Sequence, residues 1–146
     1  MRNHILVAED DPQHAELILE AFSVAKIANP VFVCEDGAEA IAHLSGEAPT
    51  ADGDGHVPAL LLLDLQMPRR SGLEVLEWAK EQPHLKYVPV VMLTSSREAE
   101  DMTKAYELGA NSYLVKPVGF DALVQVIRTL GMYWLVLNQK PPSERS

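Results

Sequence analysis

The amino-acid sequence predicts an α/β domain in which five parallel strands alternate with five helices. Short apolar runs, typical of buried strands, alternate with segments whose apolar residues recur every three or four positions, as in helices. One run, residues 59–63, is apolar throughout, which is expected of a central parallel strand covered on both faces. With 146 residues, of which 47% are apolar, the chain is long enough for one domain with a substantial core.

The first half of the chain predicts two strands, each followed by a helix. An apolar run at residues 5–8 ends at acidic residues, and Asp11 followed by Pro12 is typical of a helix start. The predicted buried face of that helix consists of Leu17, Ile18, Ala21, Phe22 and Ala25. A second strand at residues 31–34 precedes a second helix. Residues 46–58 form a loop by composition, since they are rich in glycine, proline and aspartate.

The remaining elements continue the same alternation after the central strand. They are a helix at 72–80, a strand at 88–93, a helix at 98–108, a strand at 112–115 and a long helix at 120–138. We therefore expect one domain over residues 1–138, followed by a polar tail at 139–146 and by no output domain.

Charge, cysteine and histidine content exclude several classes of protein. The formal net charge of −9 argues against a nucleic-acid-binding protein, whose footprint is a basic patch. Cys34 is the only cysteine, so no internal disulfide is possible and a reducing, cytoplasmic setting fits. No apolar run approaches the length of a membrane span, so a membrane is not an expected partner. A nucleic acid is not an expected partner either, because of the net negative charge. The histidines have no metal-ligand spacing and are predicted to lie on the surface: His4, His14, His43, His56 and His84.

Polar residues that could carry chemistry directly follow the apolar runs. In open α/β sheets, ligands bind beyond the carboxyl ends of the strands. The residues at these ends are Glu9 and Asp10 after the first strand, Asp64 after the third, Thr94, Ser95 and Ser96 after the fourth, and Lys116 after the fifth. We therefore expect three carboxylates, a group of hydroxyls and an amine to meet at one edge of the sheet.

The charges of these residues predict the ligand. Three carboxylates and the Lys116 amine leave two negative charges, which one hard divalent cation would neutralise. Oxygen ligands fit Mg²⁺, which proteins bind through one or two carboxylates together with substrate phosphate. A carboxylate beside Mg²⁺ can act as a nucleophile towards phosphorus and give an aspartyl phosphate. Thr94 could offer its hydroxyl to a phosphate oxygen.

Four motifs, in this order, resemble the receiver domains of bacterial two-component response regulators. The motifs are residues 5–11, residues 62–68 with Gly72, residues 93–95 and residues 113–117. The resemblance implies a flavodoxin-like, doubly wound sheet with strand order 2-1-3-4-5. It also implies that the protein accepts a phosphoryl group reversibly and is not an enzyme, with a histidine kinase as the phosphodonor.

The resemblance implies a role for each acidic residue of the site. Asp64 is the implied phosphoacceptor. Asp10 is the implied direct Mg²⁺ ligand, and Glu9 would act mostly through water. The backbone carbonyl of Gln66 would be a further protein ligand.

The resemblance also implies a conformational switch. Lys116 would hold the phosphoryl group, and Thr94 would swing in to form a hydrogen bond with it. Tyr113 would turn inward in the active state and fill the space that Thr94 vacates. The family's cis peptide bond would lie between Lys116 and Pro117, and a sequence cannot show the isomer.

Several traits are similar to those of single-domain regulators partnered with cyanobacterial and bacterial phytochromes. The traits are the extended segment 46–58, the motif at 61–68, Tyr106-Glu107-Leu108, Trp134 in the last helix and Pro141-Pro142 in the tail. This resemblance implies a red-light-sensing histidine kinase as the partner. The downstream partner would be another protein, which the sequence does not identify.

The last predicted helix contains more apolar residues than the fold of a monomer requires. Residues 132–137 are apolar around the whole helix and would form a sizeable patch if they were exposed. A larger contact with the core is one explanation, and a loose tail is another. We favour a subunit interface in a twofold homodimer. The expected interface residues are Met132, Tyr133, Trp134, Leu135 and Leu137.

Two other functions fit parts of the pattern. A phosphatase that resembles haloacid-dehalogenase-like enzymes would need a second aspartate two residues after Asp64, where this chain has Gln66. A receiver-fold interaction module that is never phosphorylated would not need the complete set of acids, Thr94 and Lys116. Both alternatives are therefore less favoured than a phosphorylated switch.

Overall fold

In the computed structural model, five parallel strands form one sheet with helices on both faces. The structure describes residues 4–46 and 57–137, so most of the predicted loop 46–58, with His56, and the predicted tail 139–146 lie outside the described residues. The strands are β1 (Ile5–Ala8), β2 (Val31–Cys34), β3 (Leu60–Leu63), β4 (Val90–Thr94) and β5 (Ser112–Val115). The helices are α1 (Pro12–Val24), α2 (Gly37–Leu44), α3 (Gly72–Glu81), α4 (Ala99–Glu107) and α5 (Phe120–Leu130), and a π-helical segment (Gly131–Leu137) follows α5. The order across the sheet is β2-β1-β3-β4-β5, which confirms the predicted order.

Two hydrophobic layers enclose the sheet, and the central strand contributes alternate residues to each. On β3, Leu61 and Leu63 pack with α2, α3 and α4, whereas Leu60 and Leu62 pack with α1 and α5. Successive side chains of a strand point to opposite faces, so a strand that is covered on both sides has no place for a polar residue until it ends. The first polar residue after β3 is Asp64, at the carboxyl edge of the sheet.

Side-chain caps fix where several helices begin. The Asp11 carboxylate accepts a hydrogen bond from the Gln13 N–H at the start of α1, and Asp36 accepts one from the Glu39 N–H in α2. Ser71 forms a reciprocal capping box at the start of α3. Because the cap satisfies backbone donors that have no partner within the helix, α1 begins directly after the acidic residues that follow β1.

Two glycines allow the loop after β3 to pack closely against its neighbours. A Cβ atom at Gly72 would collide with the backbone carbonyl oxygen of Asp64, and a Cβ atom at Gly37 would collide with that of Arg70. The Gly72 N–H also donates to the Leu65 carbonyl oxygen at 2.8 Å. The loop that follows Asp64 is therefore held in place by backbone contacts that a side chain at either glycine would disrupt.

The end of the last helix differs from the prediction. The sequence predicts one helix over residues 120–138, but α5 ends at Leu130 and the chain continues as the π-helical segment. Gly131 has a low intrinsic helix propensity, and Ile27 Cδ1 lies 2.6 Å from the position that a Cβ atom would occupy. A run that is apolar on every side has no 3.6-residue period, so the sequence pattern could not distinguish the two helix types.

Burial also differs from the prediction at particular positions. His4 and His43 are predicted to lie on the surface but are only 2% and 8% exposed. Their Nε2 atoms lie 3.2 Å apart, and both rings contact Phe32, so each histidine gains partners that permit its burial. Leu17 and Ile18 are both predicted to be buried. Ile18 packs against the sheet, whereas Leu17 lies at the border of that helix face and is 40% exposed.

We expect Gly72→Ala to destabilise the protein more than Gly131→Ala. The added methyl group at position 72 would meet a backbone carbonyl that cannot move away, and overpacking of this kind costs about 2–3 kcal/mol of unfolding free energy. At position 131 it would meet the end of the Ile27 side chain, which can rotate, and alanine also favours helix by about 1 kcal/mol. Urea unfolding of both variants measures the difference, and equal losses of stability would contradict this account of the loop.

Candidate functional site

The parallel register of the sheet brings the acidic residues together. Ala8 of β1 pairs with Leu63 of β3, so the residues that follow them, Glu9 and Asp64, are neighbours at the sheet edge. The Asp64 N–H donates to the Ala8 carbonyl at 3.0 Å, which extends the pairing by one residue. Carboxylate oxygens of Glu9, Asp10 and Asp64 all lie within 4.8 Å of one another. The structure thus brings together the three carboxylates, as the strand ends predict.

The Lys116 amine lies in the middle of this acidic edge. Its backbone N–H donates to the Thr94 carbonyl at 2.7 Å, which continues the pairing of β5 with β4. Its Nζ atom lies 2.6 Å from Glu9 Oε1 and 3.1 Å from Asp64 Oδ2. The Glu9 and Asp64 side chains are almost fully buried, so these contacts are shielded from water and salt.

Burial and an excess of negative charge change the proton affinity of this pair. Burial raises the pKa of Glu9 above its ordinary value; the hydrogen bond from Lys116 opposes this effect and the charge of Asp64 adds to it. For Lys116, burial acts to lower the pKa, but the hydrogen bond with Glu9 and the charge of Asp64 outweigh burial and raise it. The pKa of Glu9 thus rises mainly because its carboxyl group is buried, whereas the pKa of Lys116 rises because two carboxylates surround its amine.

A divalent cation fits the donor set of the site. The three carboxylate residues line one open cleft, and Gln66 also lines that cleft. Asp10 is exposed to solvent, whereas Glu9 and Asp64 are buried, so the cleft offers both protein oxygens and room for water. Hard cations such as Mg²⁺ prefer this combination.

Thr94 and Tyr113 are connected through Ser96. The Ser96 N–H donates to Thr94 Oγ1 at 3.3 Å, and the Tyr113 hydroxyl donates to the Ser96 carbonyl at 3.2 Å. The Ser96 hydroxyl donates to Asp101 of α4 at 2.6 Å. Tyr113 is only 7% exposed, so its ring already lies inward in this structure. The loop between β4 and α4 therefore links the end of β4 to α4 and β5.

The bond between Lys116 and Pro117 is trans, in contrast to the cis bond that the resemblance implies. The trans isomer is the lower-energy form of an ordinary bond before proline. The amine reaches the acidic residues from this trans backbone, with Nζ 3.1 Å from Asp64 Oδ2.

Sequence reasoning missed the contribution of His14. The sequence predicts a surface residue, and the side chain is 45% exposed, but its Nδ1 atom lies 3.0 Å from Lys116 Nζ. The signal was present in the helix start: α1 is capped at Asp11, so its first turn lies beside the acidic residues that end β1. Only the position of β5 shows which of these first-turn residues reaches the amine.

The expected interface residues divide into two groups. Met132 and Tyr133 are 55% and 52% exposed. Trp134 and Leu135 are half-buried and pack against the layer formed by α1 and α5, so the core explains part of this apolar run. The side chain of Leu137 lies outside the described residues.

The sequence model of one protein family, the response regulator receiver domain, matches residues 5–128 of this chain. The chain belongs to the response regulator receiver domain family. The strand order and the predicted resemblance are thereby both confirmed. Among residues 4–46 and 57–137, no helix of this receiver domain is long and apolar enough to cross a membrane.

Solved structures of phytochrome-associated regulators are similar to this receiver domain over nearly its whole length. The phosphorylated cyanobacterial phytochrome response regulator RcpA is 33% identical, with a TM-score of 0.86, over 97% of this chain and 99% of RcpA. The bacteriophytochrome response regulator RtBRR is 45% identical, with a TM-score of 0.76, over 99% of this chain and 87% of RtBRR. The Mn²⁺-bound form of response regulator Rcp1 is 32% identical, with a TM-score of 0.82, over 95% of this chain and 99% of Rcp1.

Curated relatives include regulators of different processes. Response regulator Rcp1 of Synechocystis sp. is 34% identical over 90% of this chain and 88% of its own length. The probable methanogenesis regulatory protein FilR2 of Methanothrix harundinacea is 36% identical over 94% of this chain and 86% of its own length. Sequence identity at this level therefore shows the family and does not by itself fix the input signal.

We expect Lys116→Met to destabilise the protein when no metal is bound. The substitution would leave Glu9 and Asp64 buried without their cation, and breaking a buried pair costs about 3–5 kcal/mol of unfolding free energy. The loss should shrink as the pH falls, because Glu9, whose pKa is raised, then takes up a proton and loses its charge. Saturating Mg²⁺ should recover part of the loss.

The measurement is urea unfolding in chelator and in Mg²⁺, with Lys104→Met as the matched control. Lys104 is exposed on α4, so its substitution should change the unfolding free energy by less than about 0.5 kcal/mol. If Lys116→Met were as stable as the control in chelator, the amine would not be compensating the carboxylates.

Proposed function

We propose that this receiver domain accepts a phosphoryl group from a histidine kinase on Asp64 and signals through the conformational change that follows. The observation that carries the proposal is the position of Lys116, whose amine contacts both Asp64 and Glu9 beside three converging carboxylates. A buried carboxylate, a cation and a metal-binding acidic edge are the parts that acyl phosphate formation requires. RcpA, which is similar over nearly the whole chain, has been captured in phosphorylated form.

The transfer is a displacement at phosphorus. An Asp64 carboxylate oxygen attacks the phosphorus of a phosphohistidine, a P–O bond forms as the P–N bond breaks, and the imidazole nitrogen keeps the bonding electron pair. The Lys116 N–H that now points to Asp64 then donates to a phosphoryl oxygen. The side chain of Asp64 changes from one negative charge to nearly two, which strengthens its attraction for the amine.

The metal belongs to the same acidic edge. We assign Asp10 and Asp64 as direct ligands of Mg²⁺, the backbone carbonyl of Gln66 as a further ligand, and Glu9 as a ligand through water. The exposed position of Asp10 and the contact of Glu9 with Lys116 support this division of roles. When bound, Mg²⁺ would offset the negative charge on the transferring phosphoryl oxygens.

The switch runs from the phosphoryl group to the surface of α4 and β5. Thr94 would leave its contact with the Ser96 N–H and donate its hydroxyl to a phosphoryl oxygen. Moving an equilibrium from 1:99 to 99:1 requires about 5.5 kcal/mol of differential binding. A hydrogen bond to a charged group contributes about 1.5–3 kcal/mol, so Thr94 and Lys116 together could nearly supply this amount only if each contributes close to the upper value. Tyr113 and α4 would move with Ser96, because the Tyr113 hydroxyl donates to the Ser96 carbonyl and the Ser96 hydroxyl donates to Asp101 of α4.

The kinase partner that we favour is of the phytochrome type. RcpA and RtBRR, which this receiver domain resembles over most of its length, are both described as regulators of phytochrome signalling. Residues 1–138 would form the receiver domain, and the output would be a contact with another protein. A phosphatase activity is not favoured, because Gln66 stands where the second aspartate of such enzymes would be.

We further propose that the apolar residues after α5 form a homodimer interface. Met132, Tyr133 and Val136 are exposed, and Tyr133 also lines a groove together with Leu114 and Val126. Apolar side chains that cluster on one exposed surface are typical of an interface between subunits. An isologous dimer would use this surface on both copies.

Asp64→Asn should abolish phosphorylation, because an amide cannot attack phosphorus as a carboxylate does. The measurement is transfer of label from a phosphorylated histidine kinase domain, with Mg²⁺ and with chelator. The wild-type protein should take up label only with Mg²⁺. Asp121→Asn, an exposed position on α5, is the matched control and should behave as wild type. Stoichiometric label on Asp64→Asn would refute the assignment, and no label on wild type from any phosphodonor would favour an interaction module that is not phosphorylated.

A double variant, Met132→Ser with Tyr133→Ser, should weaken dimerisation about tenfold or more, because both side chains lose apolar contact area. Sedimentation velocity over a range of concentrations measures the effect. Val118→Ser is the control, since Val118 is 93% exposed and lies on the loop between β5 and α5. A wild-type protein that stays monomeric at every concentration would rule the interface out.

A further inference from the structure

We propose that His14 is a positioning residue that aims the Lys116 amine at Asp64. The inference rests on the proposed function of Asp64 as phosphoacceptor and extends it to a residue of α1. His14 Nδ1 lies 3.0 Å from Lys116 Nζ, within hydrogen-bonding distance. No metal, phosphate or substrate contact is required of His14, which acts through the lysine.

The donors of the amine match its acceptors in number. A lysine ammonium has three N–H donors and no lone pair. Lys116 Nζ has contacts with three acceptors: Glu9 Oε1 at 2.6 Å, Asp64 Oδ2 at 3.1 Å and His14 Nδ1 at 3.0 Å. Each N–H thus has one partner, and the amine has no freedom to rotate without breaking a hydrogen bond.

The direction of this hydrogen bond follows from the chemistry of the amine. Because the ammonium can only donate, Nδ1 of His14 is the acceptor in this contact. Asp11 Oδ2 lies 3.7 Å from the same Nδ1 atom, which is beyond hydrogen-bonding distance. The contact of Nδ1 with Lys116 is therefore closer than its contact with Asp11.

Two of the three acceptors are fixed by the scaffold, and the third is the reacting group. Glu9 directly follows β1 and is 2% exposed, and its second oxygen accepts the Asp11 N–H. His14 lies in the first turn of α1, which the Asp11 cap and Pro12 hold in place. These two acceptors orient the amine so that its third N–H points to Asp64.

The surroundings of the lysine explain why a polar partner is needed on the α1 side. His14 and Lys116 line both the acidic cleft and an adjacent apolar cavity of about 210 Å³. The side of that cavity formed by Leu17, Ile18 and Leu93 offers no hydrogen-bond acceptor from its side chains. Without His14, the N–H on this side would turn towards water, and the amine would sample orientations that do not face Asp64.

Two substitutions of His14 test whether the hydrogen-bond acceptor or only the shape of the side chain is needed. Asn places its Oδ1 atom where His14 has Nδ1, whereas Leu places a methyl group there. His14→Leu should lower the rate of phosphorylation by a small-molecule donor, phosphoramidate with Mg²⁺, by about tenfold or more, the effect of one hydrogen bond to a charged group. His14→Asn should stay within about twofold of wild type, because the acceptor remains. Mg²⁺ affinity should be the same in all three proteins, since no carboxylate changes.

A second readout does not depend on phosphorylation. Trace acetylation of the folded protein, with Lys104 as the internal reference, measures how often the Lys116 amine is free to react. The Lys116 rate should rise in His14→Leu and not in His14→Asn. Equal phosphorylation and acetylation rates in His14→Leu and wild type would overturn the inference, as would equal effects of Leu and Asn. A wild type that takes up no phosphoryl group would defeat the proposed function alone, and the acetylation rates would still decide the role of His14.

Discussion

The parallel register between β1 and β3 is the constraint on which the site depends. Because Ala8 pairs with Leu63, Glu9 and Asp64 become neighbours, and two buried carboxylates lie side by side. Such an arrangement is unfavourable unless a cation compensates it. Lys116, which directly follows β5, provides one positive charge. The edge therefore keeps an electrostatic imbalance, an excess of negative charge on oxygen donors that fit a divalent cation.

The same imbalance connects the site with its surroundings. The Lys116 amine contacts Glu9 after β1, Asp64 after β3 and His14 in α1. A change in charge at Asp64 would therefore alter the contacts of the amine with both other residues. On the other side, Ser96 links the Thr94 hydroxyl to Tyr113 and to Asp101 of α4. The residues around Lys116 and those around Ser96 thus form two hydrogen-bonded groups, one that leads towards α1 and one that leads towards α4 and β5.

Sequence patterns predicted the elements whose residues follow a clear period, and were wrong where packing or pairing decides. The β3 leucines and the Asp11 cap agree with the structure, because buried strands and helix starts leave local signals. The π-helical segment after α5 was missed, since an apolar run around Gly131 has no period. His4 and His43 were expected on the surface, because a sequence does not show that two distant imidazoles can bury each other.

For the site, the sequence by itself determined the chemical inventory and the edge of the sheet. Glu9, Asp10, Asp64, Thr94 and Lys116 each directly follow or end an apolar run, and parallel strands deliver their carboxyl ends to one side. Only the tertiary structure decided which atoms meet. It brought Glu9 closer to the Lys116 amine than Asp64, turned Tyr113 inward and placed His14 against the amine. The physical reason is that strand ends are set by local hydrophobicity, whereas distances between side chains depend on register, crossover and helix packing over the whole chain.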